Sequence, residues 1–151
     1  MSNQPQNTIS IQETGEGLYQ NEITIGKHRL IAGEPEALGG DDSGPTPMEM
    51  AGAALGACTA ITLRMYANRK GWPLESISAD VTHKKGPCEV CAPNDEETEH
   101  KLGLIDIFTR TITLEGPLSP DQRERLMQIA NKCPVHKALT GSSCVRTLTG
   151  A

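Results

Sequence analysis

An α+β fold, with antiparallel sheets around a buried central helix, is predicted by three features of the 151 residues. Apolar residues recur at period two near the N-terminus and again in the segments 74 to 85 and 104 to 115. A long, nearly uncharged helical stretch separates the first group from the others. The resulting order of strands, long helix, strands, helix and strand suits segregated helices and sheets better than alternating βαβ units. The length is that of one domain, residues 1–151, and allows a modest core.

Residues 8 to 32 carry Ile9 and Ile11, then Ile23 and Ile25, then Leu30, punctuated by Gly15, Gly17 and Gly26. They read as two or three antiparallel strands. EPEALGGDDSGPTP, residues 34 to 47, is too rich in Gly, Pro and Asp for a regular element and is predicted to be a loop. Thr46, Pro47 and Glu49 then mark a helix start: a threonine N-cap, proline at the first position, and a glutamate reaching back to the cap amide. Gly71 and Pro73 stop this helix at about Lys70. Its middle, Met50 to Leu63, has no charge, so other elements are expected to wrap most of its sides.

Ile77, Ala79 and Val81 define the strand in 74 to 85, and Phe108, Ile112 and Leu114 the strand in 104 to 115. Between them lies an acidic surface loop, CEVCAPNDEETEH. Ser119, Pro120 and Gln122 repeat the helix-start signature, opening a helix from Pro120 to about Lys132 with Leu126, Ile129 and Ala130 on its buried stripe. Ser143 to Thr149 is expected to close the fold as a strand, with Cys144 in the core and His28 on the surface of an earlier strand.

Composition narrows the function classes. The net charge is −5 and the basic residues are scattered, so nothing resembles a footprint for a phosphate backbone. With only Tyr19, Tyr66, Trp72 and Phe108 as aromatics, no stacking platform for single strands is available either. Nucleic acid is not an expected partner. MSNQPQNTIS has neither the basic nor the apolar region of a signal peptide, and Met50 to Leu63 is too short to span a bilayer. A cytoplasmic protein without membrane contact is expected. In a reducing compartment, five cysteines point to catalysis, redox work or metal binding more than to a disulfide framework.

Helical spacing places Cys58 on an apolar stripe with Ala51, Ala54, Leu55, Ile61, Thr62 and Met65, and Cys133 on one with Leu126, Ile129 and Ala130. Either thiol is compatible with a small buried hydrophobe. Cys133 has a second reading, because Pro134 disfavours helical backbone at the residue before it. The helix should break there and a short one, PVHKAL, should begin with Cys133 as its N-cap. Free amides would then favour a thiolate, with a protonated His136 adding to the effect. The alternative is a helix kink with an incidental cysteine. Cys88 and Cys91 form a C-x-x-C flanked by His83 and His100, which suits an exposed loop, a zinc site or a redox pair.

Two stretches, P-x-E-x-x-x-x-A-L-G-A-C-T (Pro47 to Thr59) and A-N-K-C-P-V-H (Ala130 to His136), together resemble the OsmC/Ohr family of osmotically inducible and organic hydroperoxide resistance proteins. The likeness extends to the GG-x-x-x-GP-x-P loop and to LEG-x-LS before the second helix. It implies an intertwined homodimer and a thiol-dependent peroxidase acting on organic or lipid hydroperoxides without a cofactor or metal. Cys58 would be the peroxidatic thiol and Cys133 the resolving one, with the disulfide reduced by a dithiol. The local reading makes Cys133 the more acidic thiol, whereas the family places first attack at the Cys58 position.

Departures from the family bear on activation. Peroxidatic members carry an Arg and a Glu, the Glu directly after the proline. Here Met48 stands in that place and Glu49 follows. Nine residues of helix turn about half a revolution beyond whole turns, so Glu49 should face away from Cys58, and its capping role explains it. No arginine lies in the 33–45 loop. Arg29 is the nearest upstream candidate. Arg110 is another, since alternation puts it on the strand face of Phe108 and Ile112, where an inward guanidinium needs an anion such as a thiolate. The candidate site is therefore Cys58, Cys133, Arg29, Arg110 and Glu49, and the sequence looks like a divergent OsmC-like branch. The alternatives are a dimer that keeps an apolar pocket and binds a small molecule without catalysis, or a thiol redox sensor using Cys88 and Cys91.

Overall fold

The computed structural model describes residues 8–87, 104–141 and 143–150. Contacts divide the chain into two compact units, Met1–Ala51 and Gly52–Ala151.

The first unit is an antiparallel meander of β1 (Ile9–Glu13), β2 (Asn21–Ile25) and β3 (His28–Ala32). Ile11, Ile23 and Leu30 lie in one cross-strand row. Ile25 pairs with His28 across a two-residue turn that Gly26 permits at φ +58°. After β3 the predicted loop is irregular except for one 3-10 turn, Glu36–Leu38. Gly40 and Gly44 serve close backbone approach: a Cβ on either would collide with a main-chain carbonyl, that of Glu34 or of Ile31.

Helix α1, Pro47–Lys70, begins with the expected capping box. The Glu49 amide donates to Thr46 Oγ1 at 3.2 Å, and the Thr46 amide donates to the Glu49 carboxylate at 2.8 Å. Beyond residue 51 the helix belongs to the second unit, with the antiparallel ribbon of β4 (Ser76–Pro87) and β5 (Leu104–Glu115) and helices α2 (Pro120–Ala130) and α3 (Pro134–Thr140). Gly52 and Gly56 bring α1 onto β4. A Cβ at Gly56 would sit 3.3 Å from the Val81 side chain. Leu63, Ala67, Leu74, Leu118, Leu126, Ile129 and Ala130 form the core, lined by Ile77, Ile112 and Leu114 from the ribbon.

Two arginines fasten helices to strand ends. Arg64 of α1 donates to the carbonyls of Leu74 and Glu75 before β4. Arg123 of α2 donates to Leu114 and Gly116 at 2.7 and 2.9 Å at the end of β5. Ser119 and Gln122 cap α2 as expected, and Leu126, Ile129 and Ala130 are its buried face. That helix ends at Ala130, two residues before the expected Lys132.

Three expectations are corrected. The buried stripe of α1 is Gly52, Leu55, Gly56, Thr59, Leu63 and Ala67, while Ala54, Ile61 and Met65 face outward, so Cys58 lies at the stripe's edge. A helix apolar on every side carries no periodicity that fixes its inward face. Within one chain the expected wrapping stops at this inward face, and Ile61 and Met65 are 60% and 68% exposed. Residues 143–150 form no strand, and Cys144 is exposed, not core. Strand backbone persists only where a neighbour takes its hydrogen bonds, and this segment pairs with none of the described strands.

Candidate active site

Cys133 is the N-cap of α3, as Pro134 requires, in extended conformation at φ −63° and ψ 138°. Its sulfur is fully enclosed and accepts the His136 amide at 3.2 Å. The Thr59 hydroxyl of α1 is a second hydrogen-bond partner at 4.0 Å, and half-buried Cys58 is its neighbour in the helix. Burial pushes the Cys133 thiol up, and the polar groups of His136, Cys58, Thr59 and Val135 together outweigh it, holding the thiol below its ordinary value.

Arg110 lies on the inward face of β5, opposite Val81 and in line with Phe108 and Ile112. Its Nη1 donates to Thr59 Oγ1 at 2.7 Å and to the Ala130 carbonyl at 3.3 Å, and its Nη2 donates to Asn131 Oδ1 at 3.1 Å. Thr59 Oγ1 in turn lies 4.0 Å from Cys133 Sγ. Among the described residues no carboxylate pairs with Arg110. Three elements thus converge on Cys133: α1 brings Cys58 and Thr59, β5 brings Arg110, and α3 brings its own amides.

A protonated His136 is not part of the arrangement. Burial and the neighbouring Arg110 charge lower its pKa, so near neutral pH the ring is uncharged, and it is the main-chain amide that reaches the sulfur.

The other candidates are occupied locally. Arg29, exposed on β3, pairs with Glu22 at 2.9 Å and donates to Thr24. Glu49 is held below the usual carboxylate value, first by the Thr46 amide. His83 lies with its Nε2 2.8 Å from Asp106 Oδ1 and its ring against Phe108. Cys88, Cys91 and His100 lie outside the described residues. No described helix is long and apolar enough to cross a membrane.

Sequence reasoning missed Thr59 and Asn131. Thr59 directly follows Cys58, and a hydroxyl in a buried helical stripe was the available signal.

The profile of the OsmC-like proteins matches residues 40–148, which include both cysteine motifs. The chain belongs to the OsmC-like protein family. Solved structures of this family share the fold at low identity. An OsmC-like protein from Mycoplasma pneumoniae is 17% identical, over 93% of this chain and 90% of that one, with TM-score 0.68. An organic hydroperoxide resistance protein OsmC from Legionella pneumophila is 22% identical, over 91% and 93%, with TM-score 0.64. The organic hydroperoxide resistance protein OhrB of Bacillus subtilis is 20% identical, over 87% and 88%, with TM-score 0.55. No curated protein matches the sequence. The α+β architecture of antiparallel sheets and helices is thus that of the OsmC-like fold.

Proposed function

We propose that this OsmC-like protein is a thiol-dependent peroxidase reducing organic or lipid hydroperoxides through Cys58 and Cys133. The reading rests on both family cysteine positions serving one junction that also holds an arginine: Cys58 directly precedes Thr59, whose hydroxyl lies 4.0 Å from Cys133 Sγ and accepts from Arg110. Half-buried Cys58 is the sulfur a hydroperoxide meets first, since Cys133 is fully enclosed. The ionised Cys58 sulfur attacks the terminal oxygen and the O–O bond breaks. The alkoxide takes a proton and leaves as alcohol, and the sulfur becomes a sulfenic acid. The Cys133 thiolate then attacks that sulfur, forms the disulfide and expels hydroxide, which is protonated to water. An external dithiol reduces the disulfide by exchange. Similarity to organic hydroperoxide resistance proteins supports the substrate class.

A homodimer belongs to the same proposal. Ala54, Ala57, Ile61 and Met65 make an exposed apolar row on α1, and Val145 and Leu148 are 90% and 81% exposed. A second copy covering these surfaces, with residues 143–149 paired to its strands, would remove that apolar area from water.

The test is mass spectrometry of the reduced protein before and after one equivalent of cumene hydroperoxide. A loss of about 2 Da and a Cys58–Cys133 cross-linked peptide are expected. Cys58→Ser consuming hydroperoxide as fast as wild type would sink the assignment. A second reading, a dimer that binds an apolar molecule without chemistry, is favoured by Met48 in the family glutamate's place and by Arg29 being engaged with Glu22. It expects both thiols to titrate near the unperturbed ~8.5.

A further inference from the structure

Thr59 is fully buried, and its hydroxyl has two roles to fill with one proton. The oxygen accepts from Arg110 Nη1 at 2.7 Å. Its hydrogen has two acceptors in reach, the Leu55 carbonyl at 2.7 Å and the Cys133 sulfur at 4.0 Å. Leu55 does not depend on it, because a helical carbonyl is already served by the main-chain amide four residues on, which is Thr59's own. The Cys133 sulfur gains more from the proton once it carries charge, since a hydrogen bond to an ion is about twice as strong as one between neutral groups. Arg110 donating into the same oxygen polarises the hydroxyl and makes it a better donor. Among the described residues the guanidinium donates to Thr59, Ala130 and Asn131, so its connection to the Cys133 sulfur runs through the Thr59 oxygen.

We propose that Thr59 is a positioning residue through which Arg110 holds Cys133 as the thiolate in the reduced protein. This deepens the peroxidase reading and rests on Cys58 and Cys133 being a working pair. It assigns to a β5 arginine and an α1 threonine the electrostatic support that the absent loop arginine would give. Among the described residues, the titratable and charged groups that bear on Cys133 and on its neighbour His136 are Cys58 on α1, Arg110 on β5 and His136 itself on α3. Of these Arg110 alone carries a fixed positive charge.

The experiment follows the ¹³Cβ shift of labelled cysteines against pH in the reduced, full-length protein, which reads ionisation at each sulfur without any peroxide. Thr59→Val keeps the side chain's shape and deletes the hydroxyl. It should move the Cys133 midpoint upward by about one pH unit, a tenfold loss of thiolate near neutrality. Thr59→Ser should restore the wild-type midpoint. Arg110→Met should shift it in the same direction, and the Thr59→Val, Arg110→Met double variant should titrate no higher than Arg110→Met alone, since both act through one contact. A Cys133 midpoint unmoved by Thr59→Val, or fully additive shifts in the double variant, would overturn the proposal. Should Thr59→Val not fold, the pair Thr59→Ser and Arg110→Met decides it: an unshifted midpoint in Arg110→Met is the contrary result. Normal titration shifts with no peroxide consumption would instead remove the peroxidase reading and leave the Thr59 assignment standing.

Discussion

Arg110→Met tests how much of the second unit depends on the junction beside Cys133. The substitution keeps an unbranched apolar stem of similar reach and removes three donated hydrogen bonds, to Thr59, Ala130 and Asn131. They do not weigh equally. Asn131 is exposed and water replaces its partner, while the Ala130 carbonyl keeps the Cys133 amide at 3.4 Å. Thr59 is fully buried and has no substitute, so its loss dominates. A hydrogen bond from a charged donor contributes about 1.5–3 kcal/mol, and relief of the guanidinium's own desolvation offsets part of the sum. The expected net loss is about 2 kcal/mol. For a chain of this size that corresponds to a fall in Tm of roughly 4–8 °C. Chemical denaturation of the reduced protein, at one fixed protein concentration so that any association is constant, measures it. Sustained hydroperoxide consumption with a dithiol present should fall about tenfold or more, because less Cys133 thiolate is available to close the disulfide. Wild-type midpoint together with wild-type consumption would refute the role given to Arg110, since neither the packing nor the charge would then matter.

Three further outcomes follow from other parts of the fold. Ser119→Ala removes the N-cap of α2 and should cost about 1 kcal/mol in the same denaturation assay, with little change in peroxide consumption. Gly56→Val forces a branched side chain into the 3.3 Å gap over Val81 and should destabilise by about 2 kcal/mol, whereas Gly52→Ala, with 3.5 Å to Val81, should be tolerated. Burial, and after it Arg110, depress the His136 pKa, so below about 6.5 the unfolded chain binds a proton that the folded one refuses. That part of the stability is present above about 6.5 and is lost as the pH falls through the folded value, and urea midpoints of His136→Asn should fall less steeply with acid than those of wild type.

Much of the architecture was legible because it is written in local rules. The Thr46/Glu49 and Ser119/Gln122 capping boxes, the Gly71 stop and the period-two faces of β4 and β5 each depend on a few neighbouring residues, and each fell within about two residues of its expected place. Pro134 fixed the N-cap conformation of Cys133 for the same reason, a clash with the residue directly before it. Alternation was enough to put Arg110 on the inward face.

What only the tertiary structure decided is which side of α1 faces inward, and therefore what surrounds the sulfur. The helix is apolar on every side, so no sequence period could choose the row of Gly52, Gly56, Thr59 and Leu63 over that of Ala54, Ile61 and Met65. The choice came from β4, because only glycines let the helix approach Val81. That rotation carries Thr59 inward to meet Arg110 from a strand 51 residues away and Cys133 from a helix cap 74 residues away. Residues so distant along the chain share no local rule, and their meeting is a property of packing.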